Sequence, residues 1–414
     1  MMEKSGLSDQ EIMERAKTAL EIPNALDIRG NITLPVTSDQ GAMISWETDR
    51  PDIVNINDEK NEHYDDTPAG MVIRPETDTT VKLTATITVG KITDKKQFSL
   101  LVRAKSPKKL FAAYLMSHFA GDHDTGEQIY FAISTDGLHW NDLNNSQPVI
   151  TSDIGEKGVR DPFILRSSEG DPFYMLATDL RIANGKGWEV AQTAGSKSIM
   201  VWESNDLVNW SEPRMIEVAP RNAGDAWAPE AFYDEKTGEY IVYWASRVAD
   251  QNGNFGPHRI YYAKTRDFRM FTKPNLFIER SDDTHIIDTT IIKDGLFYYR
   301  YSGDGQITIE KSEHLLGRWS KIGSIEASTG LTGHDVEGPL VFKFNDREEW
   351  CLMVDQYATG KGYLPLRTPN LLSGEFTKLP TSEYSLGSTK KRHGSVIAIT
   401  RKEYEAVRAK WDDI

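Results

Sequence analysis

Residues 334–339 read His-Asp-Val-Glu-Gly-Pro and run directly into the apolar Leu-Val-Phe of residues 340–342. An acid placed like Glu337 lies at the mouth of a buried strand, where burial can raise its pKa until it keeps its proton at neutral pH. Such a group can act as a general acid. A single Glu-Gly-Pro is also an ordinary turn, so this stretch indicates a functional site only because similar stretches recur along the chain.

Four other stretches share this layout of a polar group followed at once by an apolar run. They are Arg-Asp-Pro at 160–162, Trp-Ala-Pro-Glu at 227–230, Ile-Asp-Thr-Thr at 287–290 and Arg-His-Gly-Ser at 392–395. In the first four of the five units a turn and a second, aromatic-rich strand follow, at residues 173–176, 240–243, 296–299 and 350–353. Each of these units therefore reads as a hairpin with a polar group at its entrance.

A second repeat runs in step with the first. Its members are Ser134, Asp136 and Trp140, then Ser204, Asp206 and Trp210, and in weaker form Thr265, Asp267 and Phe271, Ser312 and Trp319, and Ser373 and Phe376. Two signals out of phase, each recurring about every 50 to 70 residues, indicate a unit of several strands and are typical of a β-propeller. Five units predict five blades. The strands at 110–116 and 128–134 precede the first hairpin, so we expect them to close the ring against the last blade.

The N-terminal quarter has a different pattern. Ser-Asp-Gln-Glu at 8–11 is a capping box and predicts a short helix from Ser8 to about Leu20. Short alternating strands follow, with no helix between them, at residues 31–34, 43–46, 54–56, 71–73, 81–89 and 96–102. They predict a small antiparallel sandwich. Residues 104–109 break the strand pattern as a linker. The expected organisation is all-β, with a helix and sandwich domain at 1–105 and a propeller at 106–414.

Composition limits the class of partner. A net charge of −14 over 414 residues, without a cluster of Lys and Arg, argues against nucleic acid. No stretch of about 20 apolar residues predicts a membrane span. Residues 1–5 lack a hydrophobic signal region, so we expect a cytoplasmic protein, or a secreted one if a leader was trimmed. The single cysteine, Cys351, has no partner for a disulfide or a thiolate metal site and is expected in the core.

The inner strands of a propeller surround a central channel, so residues at their entrances should meet at one opening. This predicts a cluster of Asp161, Glu230, Asp288, Glu337 and His393. An acid and a carboxylate base spaced roughly 6.5 to 9.5 Å apart are what inverting glycoside hydrolysis requires. Although Asp161 before Pro162 could be a turn, Asp288 between apolar residues costs free energy unless it is paired or functional.

On these motifs, residues from about 110 to 400 resemble glycoside hydrolase family 43, the five-bladed propeller glycosidases. The resemblance implies that Asp161 is the general base, that Asp288 orients the acid and tunes its pKa, and that Glu337 is the general acid. Three details depart from the commonest pattern: Glu230 stands where Asp is usual, Arg160 precedes the base, and the closure strands come first. A related fructan-cleaving family shares Arg-Asp-Pro, but its earlier Asn-Asp-Pro-Asn and later Glu-Cys are absent here.

The N-terminal strands resemble a reduced bacterial immunoglobulin-like domain, in residues 46–49 and in the strand at 84–87. Such modules act as spacers or packing partners, and this one carries no group that we would assign to catalysis.

Four residues are candidates for substrate binding: Trp227, Glu230, Asp179 and His393. Trp227 can belong to the core or form a wall that stacks against a sugar. Asp179 can be a rim residue or part of a strand-end turn. His393 can be a core histidine, a substrate ligand or the partner, directly or through water, of a structural calcium or sodium ion in the channel, which the family resemblance implies.

The expected activity is that of an inverting, exo-acting α-L-arabinofuranosidase that acts on a neutral plant oligosaccharide or polysaccharide. A β-xylosidase or a bifunctional enzyme is the alternative, because the two pentoses present similar hydroxyl groups. No cofactor is expected for the chemistry, and the oligomeric state stays open. A carbohydrate-binding propeller without chemistry is the rival from another class. It predicts an amide or apolar residue in place of one of the three acids, and all three acids are present.

Overall fold

A computed structural model describes residues 7–281 and 283–412. Its first part contains one helix and five strands: α1 (Asp9–Ala19), β1 (Met43–Thr48), β2 (Val54–Asn55), β3 (Met71–Val72), β4 (Thr79–Val89) and β5 (Ile92–Val102). The capping box at the start of α1 is confirmed, because Ser8 and Glu11 each accept a hydrogen bond from the other's backbone N–H. Strands β1, β4 and β5 form one antiparallel sheet in the order β1-β4-β5, and β2 pairs with β3.

The strand predicted at residues 31–34 is wrong. Ile32 and Leu34 are buried in the core of this part of the chain, which explains the alternating pattern. The Ile32 N–H donates to the Gly70 carbonyl, and the side chain of Asn31 accepts from the Val72 N–H. These contacts are isolated and form no ladder, so the alternation here reports burial rather than strand pairing.

The rest of the described chain begins with three strands, continues with four units of four strands and has one further strand after them. The strands are β6 (Phe111–Phe119), β7 (Tyr130–Ser134), β8 (Asn141–Asp142), β9 (Val159–Arg166), β10 (Phe173–Asp179), β11 (Ser198–Ser204), β12 (Arg214–Glu217), β13 (Trp227–Asp234), β14 (Glu239–Ser246), β15 (Arg259–Thr265), β16 (Asn275–Ile278), β17 (Ile287–Asp294), β18 (Phe297–Gly303), β19 (Ile307–Ser312), β20 (Ser320–Ser324), β21 (Glu337–Lys343), β22 (Trp350–Asp355), β23 (Tyr363–Thr368), β24 (Thr377–Lys378) and β25 (Arg392–Thr400). Between and after them lie α2 (Trp188–Thr193), α3 (Ile325–Thr329) and α4 (Arg401–Trp411), with 3-10 turns at Asn144–Ser146 and Leu371–Ser373.

These strands form five four-stranded antiparallel sheets, which we number 1 to 5. Sheets 1 to 4 are β9–β12, β13–β16, β17–β20 and β21–β24, and sheet 5 has the order β25-β6-β7-β8. The four predicted hairpins are therefore present as the first two strands of sheets 1 to 4. The predicted pairing of the early strands with the last unit is also confirmed, because β6 pairs with β25.

The first strands of the five sheets contact one another in a cycle, from β9 through β13, β17, β21 and β25 back to β9. Apolar clusters lie between each pair of successive sheets, including sheets 5 and 1. Cys351 is buried in the cluster between sheets 4 and 5, as predicted. Each sheet thus buries both of its faces, and the cycle places the starts of the five first strands at one end of their common centre.

The second repeat lies in the turns after the third strands of the sheets. In sheet 1, the Ser204 hydroxyl accepts from the Leu207 N–H, and one oxygen of Asp206 accepts from two backbone N–H groups. Ser134 and Asp136 make the same contacts after β7. The repeat therefore caps turns and has no contact with the entrances.

The N-terminal part contacts the far ends of sheets 1 and 2, on the side opposite the entrances. Asp171, in the turn between β9 and β10, pairs with Arg29 and Arg74, each at 2.7 Å. Arg266, at the end of β15, donates to the Ile32 and Ala69 carbonyls at 3.1 and 2.5 Å. Among the helices that the structure describes, none has both the length and the apolar character to cross a membrane.

Candidate active site

Each first strand carries a β-bulge near its start. In β9, Arg160 and Phe163 lie opposite Thr178 and Leu176, so that two residues face one on the partner strand. The same two-against-one register recurs after Trp227, Ile287 and Glu337, and β25 has one extra residue between Arg392 and Gly394. Bulges bend a strand and redirect its side chains, and they are common beside active sites.

The bulges arrange the entrances in two layers. The outer layer, which we call the rim, consists of Arg160, Trp227, Ile287, Glu337 and Arg392. The next layer, which we call the inner layer, consists of Asp161, Ala228, Asp288, Gly338 and His393. Four inner-layer residues have positive φ, namely Asp161 at 50°, Ala228 at 47°, Asp288 at 52° and Gly338 at 52°. A non-glycine residue held at positive φ costs free energy and is concentrated at functional sites.

Gly338 explains part of the Glu-Gly-Pro motif. A Cβ atom at this position would lie 2.8 Å from Cγ of the His393 ring. Only glycine tolerates both the positive φ and this close approach. The motif therefore packs the inner layer as well as presenting Glu337.

The five predicted site residues do not lie at equivalent positions. Asp161 and Asp288 share the inner layer with His393, whereas Glu337 lies one residue earlier, in the rim. Glu230 lies two residues deeper than Ala228 and is buried. The sequence motifs suggest that these residues are equivalent. The bulge, however, adds a residue to each first strand, and the strand pairing places them at different depths.

His393 lies between two carboxylates of the inner layer. Its Nδ1 atom is 3.3 Å from Asp161 Oδ1 and 3.7 Å from Asp288 Oδ1. The Thr178 hydroxyl donates to the other oxygen of Asp161 at 2.7 Å and accepts from the Ala228 N–H at 2.7 Å. The Gly338 N–H donates to Asp288 Oδ2 at 3.1 Å. Sheets 1 to 5 thus all contribute to one hydrogen-bonded and ionic cluster.

The cluster separates the pKa values of its members. Burial alone would lower the pKa of His393, but the charges of Asp288 and Asp161 outweigh it and raise that pKa to about 10. Burial likewise favours a raised pKa for Asp161, yet its hydrogen bond to His393 and the His393 charge outweigh burial, so the pKa of Asp161 is lowered. Burial, reinforced by the Asp161 charge, raises the pKa of Asp288. The ring of His393 is therefore cationic and Asp161 anionic at neutral pH.

Glu337 has the opposite behaviour to Asp161. Burial raises its pKa to about 8, with the charges of Asp288 and Asp355 acting in the same direction. Arg392 bridges Glu337 and Asp355, with its Nη2 2.9 Å from Glu337 Oε1 and its Nε 2.8 Å from Asp355 Oδ2. The side chain of Glu337 is 32% exposed, against 15% for Asp161 and 10% for Asp288. Glu337 is thus the most accessible of the three acids and carries a proton at neutral pH.

Glu230 and Asp179 lie deeper than the sequence indicates. Glu230 accepts a hydrogen bond from the Tyr243 hydroxyl at 3.0 Å, and burial raises its pKa to about 8. Asp179 is buried at the end of β10, where it accepts from the Glu156 N–H at 2.7 Å. Its position matches the strand-end alternative, and a substrate contact by either residue stays a prediction.

Trp227 lies half-buried in the rim. Its ring centroid is 5.0 Å from that of His258 and 6.0 Å from that of Trp188. The ring thus packs against two other rings and keeps part of its surface exposed.

Several residues of the site carry no signal in the sequence. Thr178 and Asp355 lie at the ends of apolar second strands, where a polar residue reads as an ordinary strand end. Arg392 belongs to the fifth motif, but it contacts Glu337 only because sheets 4 and 5 are adjacent. His258 lies in a loop and Trp188 begins α2, and both are outside the two repeats.

The Nδ1 atom of His393 is not placed to bind a metal directly. It faces the carboxylates of Asp161 and Asp288, and the ring is cationic. Within the described residues, no group of three or more His, Cys, Asp or Glu side chains has the geometry to hold a metal ion. An ion held through water stays a prediction.

Comparison with known proteins gives two family matches. A family model described as "Probable glycosyl hydrolase domain", related to glycoside hydrolase family 43, matches residues 109–405. A second, described as "Atrophied bacterial Ig domain", matches residues 13–105. An α-L-arabinofuranosidase of Bifidobacterium longum subsp. longum is 30% identical over 390 residues, which cover 81% of this chain and 36% of that protein. The chain thus spans about a third of the length of this curated relative.

Solved structures are similar at lower identity. A thermostable family-43 glycoside hydrolase has a TM-score of 0.39 and 20% identity, over 56% of this chain and 76% of that one. An α-L-arabinanase of Cellvibrio cellulosa in complex with arabinohexaose has a TM-score of 0.45 and 15% identity, over 69% of this chain and 98% of that one.

Proposed function

Because the chain belongs to the family of glycosyl hydrolase domains related to glycoside hydrolase family 43, we propose that its site is an inverting, exo-acting α-L-arabinofuranosidase. The observation that carries the proposal is the pair of acids with opposite pKa shifts at one opening. Asp161 has a lowered pKa, and Glu337 has a pKa raised to about 8. When the surroundings shift the pKa values of two carboxyl groups in opposite directions, the group with the lowered pKa is assigned as the base and the group with the raised pKa as the acid.

In the proposed reaction, Glu337 donates its proton to the glycosidic oxygen as the bond from that oxygen to the anomeric carbon breaks. Asp161 accepts a proton from a water molecule, whose oxygen bonds to the anomeric carbon from the opposite face of the sugar. The configuration at that carbon is therefore inverted. Exchange with solvent then returns a proton to Glu337 and removes one from Asp161.

The other members of the cluster have positioning roles. His393 and Thr178 both contact the carboxylate of Asp161, so they fix its orientation and keep it ionised. Asp288 contributes a nearby negative charge that keeps Glu337 protonated. The rim supplies the half-buried ring of Trp227 as a surface that can stack against a sugar unit of the substrate.

The choice of arabinose rests on the similarity to the Bifidobacterium arabinofuranosidase, and β-xylosidase activity is the alternative within the same mechanism. Hydrolysis of aryl α-L-arabinofuranoside and aryl β-D-xyloside by the same preparation distinguishes them. We also propose that sheets 1 to 5 are the five blades of a propeller and that residues 1–105 form an Ig-like sandwich domain.

The decisive experiment compares Glu337→Gln with Asp161→Asn. A general acid matters in proportion to the basicity of the leaving group, so Glu337→Gln should lose hydrolysis of oligosaccharides and keep much more activity on aryl glycosides with good leaving groups. Asp161→Asn should lose both activities, because water must be activated whatever group leaves. Glu348→Gln, an exposed glutamate at the far turn of the same hairpin, is the matched control.

Two results would contradict the assignment. One is equal loss of both substrate classes in Glu337→Gln together with full activity in Asp161→Asn. The other is retained anomeric configuration in the first-formed sugar, measured by proton NMR with the wild-type protein.

A further inference from the structure

Trp188 lies at the site although neither sequence repeat contains it. It begins α2, in the loop from β10 to β11, and the end of β10 pairs with the start of β9 at the entrance side. Trp188 is 45% exposed. Its ring meets that of Trp227 edge to face, with an interplanar angle of 77°. The two indoles form an aromatic corner, by which we mean Trp188 and Trp227 together, that opens to solvent.

The rim has a polar and an apolar half. Trp227 and Ile287, on neighbouring sheets, form the apolar half, while Glu337, Arg392 and Arg160 form the charged half. Sugars have apolar C–H faces and polar hydroxyl edges, and binding sites for them combine aromatic surface with a few convergent polar groups. The aromatic corner lies where the two halves meet, because Trp188 contacts Trp227 of the apolar half and the Arg160 guanidinium of the charged half lies 5.1 Å from the centroid of its ring.

A buried pair fixes the inner wall of this corner. His258 Nε2 lies 2.6 Å from Asp225 Oδ2, and both residues are buried. The second oxygen of Asp225 accepts from the Arg247 N–H at 2.7 Å. The ring of His258 packs on Trp227 at an interplanar angle of 31°. Because the imidazole cannot rotate without breaking its bond to Asp225, it restricts the angle of the Trp227 ring.

We propose that the aromatic corner binds the sugar unit on the leaving-group side of the cleaved bond, and that His258 is a positioning residue for Trp227. This inference rests on the proposed function. The released sugar must reach Asp161 in the inner layer, and its glycosidic oxygen must lie at Glu337 in the rim. The rest of the substrate therefore extends outward, where Trp188, which contacts Trp227 of the rim, offers exposed aromatic surface. The ligand class is a neutral pentose or hexose unit of an oligosaccharide.

The test measures Trp188→Ala against Val190→Ala, a control on the same helix with 46% exposure. Trp188→Ala should raise KM for the oligosaccharide that the wild type cleaves by about three- to tenfold, the range for loss of one aromatic contact. The kcat should stay within about twofold. Inhibition by the free monosaccharide product, which occupies the inner layer, should be unchanged. His258→Gln, which keeps a donor for Asp225 but removes the ring from Trp227, should raise KM in the same direction.

A KM in Trp188→Ala equal to that of Val190→Ala would overturn the inference, as would a parallel change in product inhibition. Failure of the proposed function gives a different result, namely no hydrolysis by the wild type. In that case, quenching of tryptophan fluorescence by arabino-oligosaccharides in wild type but not in Trp188→Ala still supports the binding site, and its absence from the wild type overturns it.

Discussion

Replacing Asp355 by Asn should move the basic limb of the pH profile to lower pH. Glu337 and Asp355 are directly paired across β21 and β22, so their Cβ atoms lie about 5 Å apart on one face. Two unit charges about 5 Å apart repel by about 0.8 kcal/mol in bulk water and by about 1.7 kcal/mol at an effective dielectric constant of about 40. These energies equal roughly 0.6 and 1.2 pKa units.

The sign follows from the role proposed for Glu337. The acid must be protonated, activity is lost as pH rises through its pKa, and that pKa is about 8. Asp355→Asn removes a charge that favours the protonated form, so the limb should fall to about 7. Asn can still accept the bond from Arg392, which keeps the geometry.

The assay must use an oligosaccharide, because an aryl glycoside with a good leaving group does not report on the acid. Initial rates of reducing-sugar release between pH 4 and about 10 give both limbs. Asp346→Asn, at the exposed far turn of the same hairpin, should leave both limbs in place. A basic limb that stays near its original position, or moves to higher pH, in a folded Asp355→Asn protein would refute the electrostatic coupling of these two acids.

Two further predictions concern stability. If an ion is held through water near His393, thorough chelation should lower the melting temperature and activity modestly, with recovery on adding calcium; a protein unchanged by chelation would leave His393 as a core or substrate residue. Deletion of residues 1–105 should lower the melting temperature by at least about 5 °C, since Arg266 and Asp171 lose their partners, without altering the cleavage products; a stable truncated protein with changed products would show that this domain shapes the substrate site.

The strand pattern of the second part was predictable because each unit repeats the same local signals. The apolar runs, the turns and the Ser-x-Asp caps all depend on residues close in sequence, and the pairing of β6 with β25 followed from counting strands. The failure at residues 31–34 has the same origin, because burial of Ile32 and Leu34 produces alternation without a neighbouring strand.

The sequence predicted which residues form the site, but not how far each of them lies from the opening. A bulge adds one residue at a position that no residue type marks uniquely, since Asp161, Ala228, Asp288 and Gly338 all occupy it. The sequence therefore could not show that Glu337 lies in the rim and Glu230 two residues below the inner layer. Contacts such as Arg392 with Glu337 depend on the order of the sheets and on side-chain reach, which local patterns do not encode.

The position of His393 helps to explain how one opening can hold two carboxyl groups with opposite protonation. His393 lies in the inner layer, in direct contact with Asp161, while Glu337 stands in the rim with Asp355 opposite it and Arg392 donating to it. The bulge that offsets the two layers by one residue thus places Asp161, but not Glu337, in the layer of His393, while burial and the charges of Asp288 and Asp355 raise the pKa of Glu337. Strained backbone at Asp161 and Asp288 is consistent with that role, because a regular strand would carry these side chains to other positions.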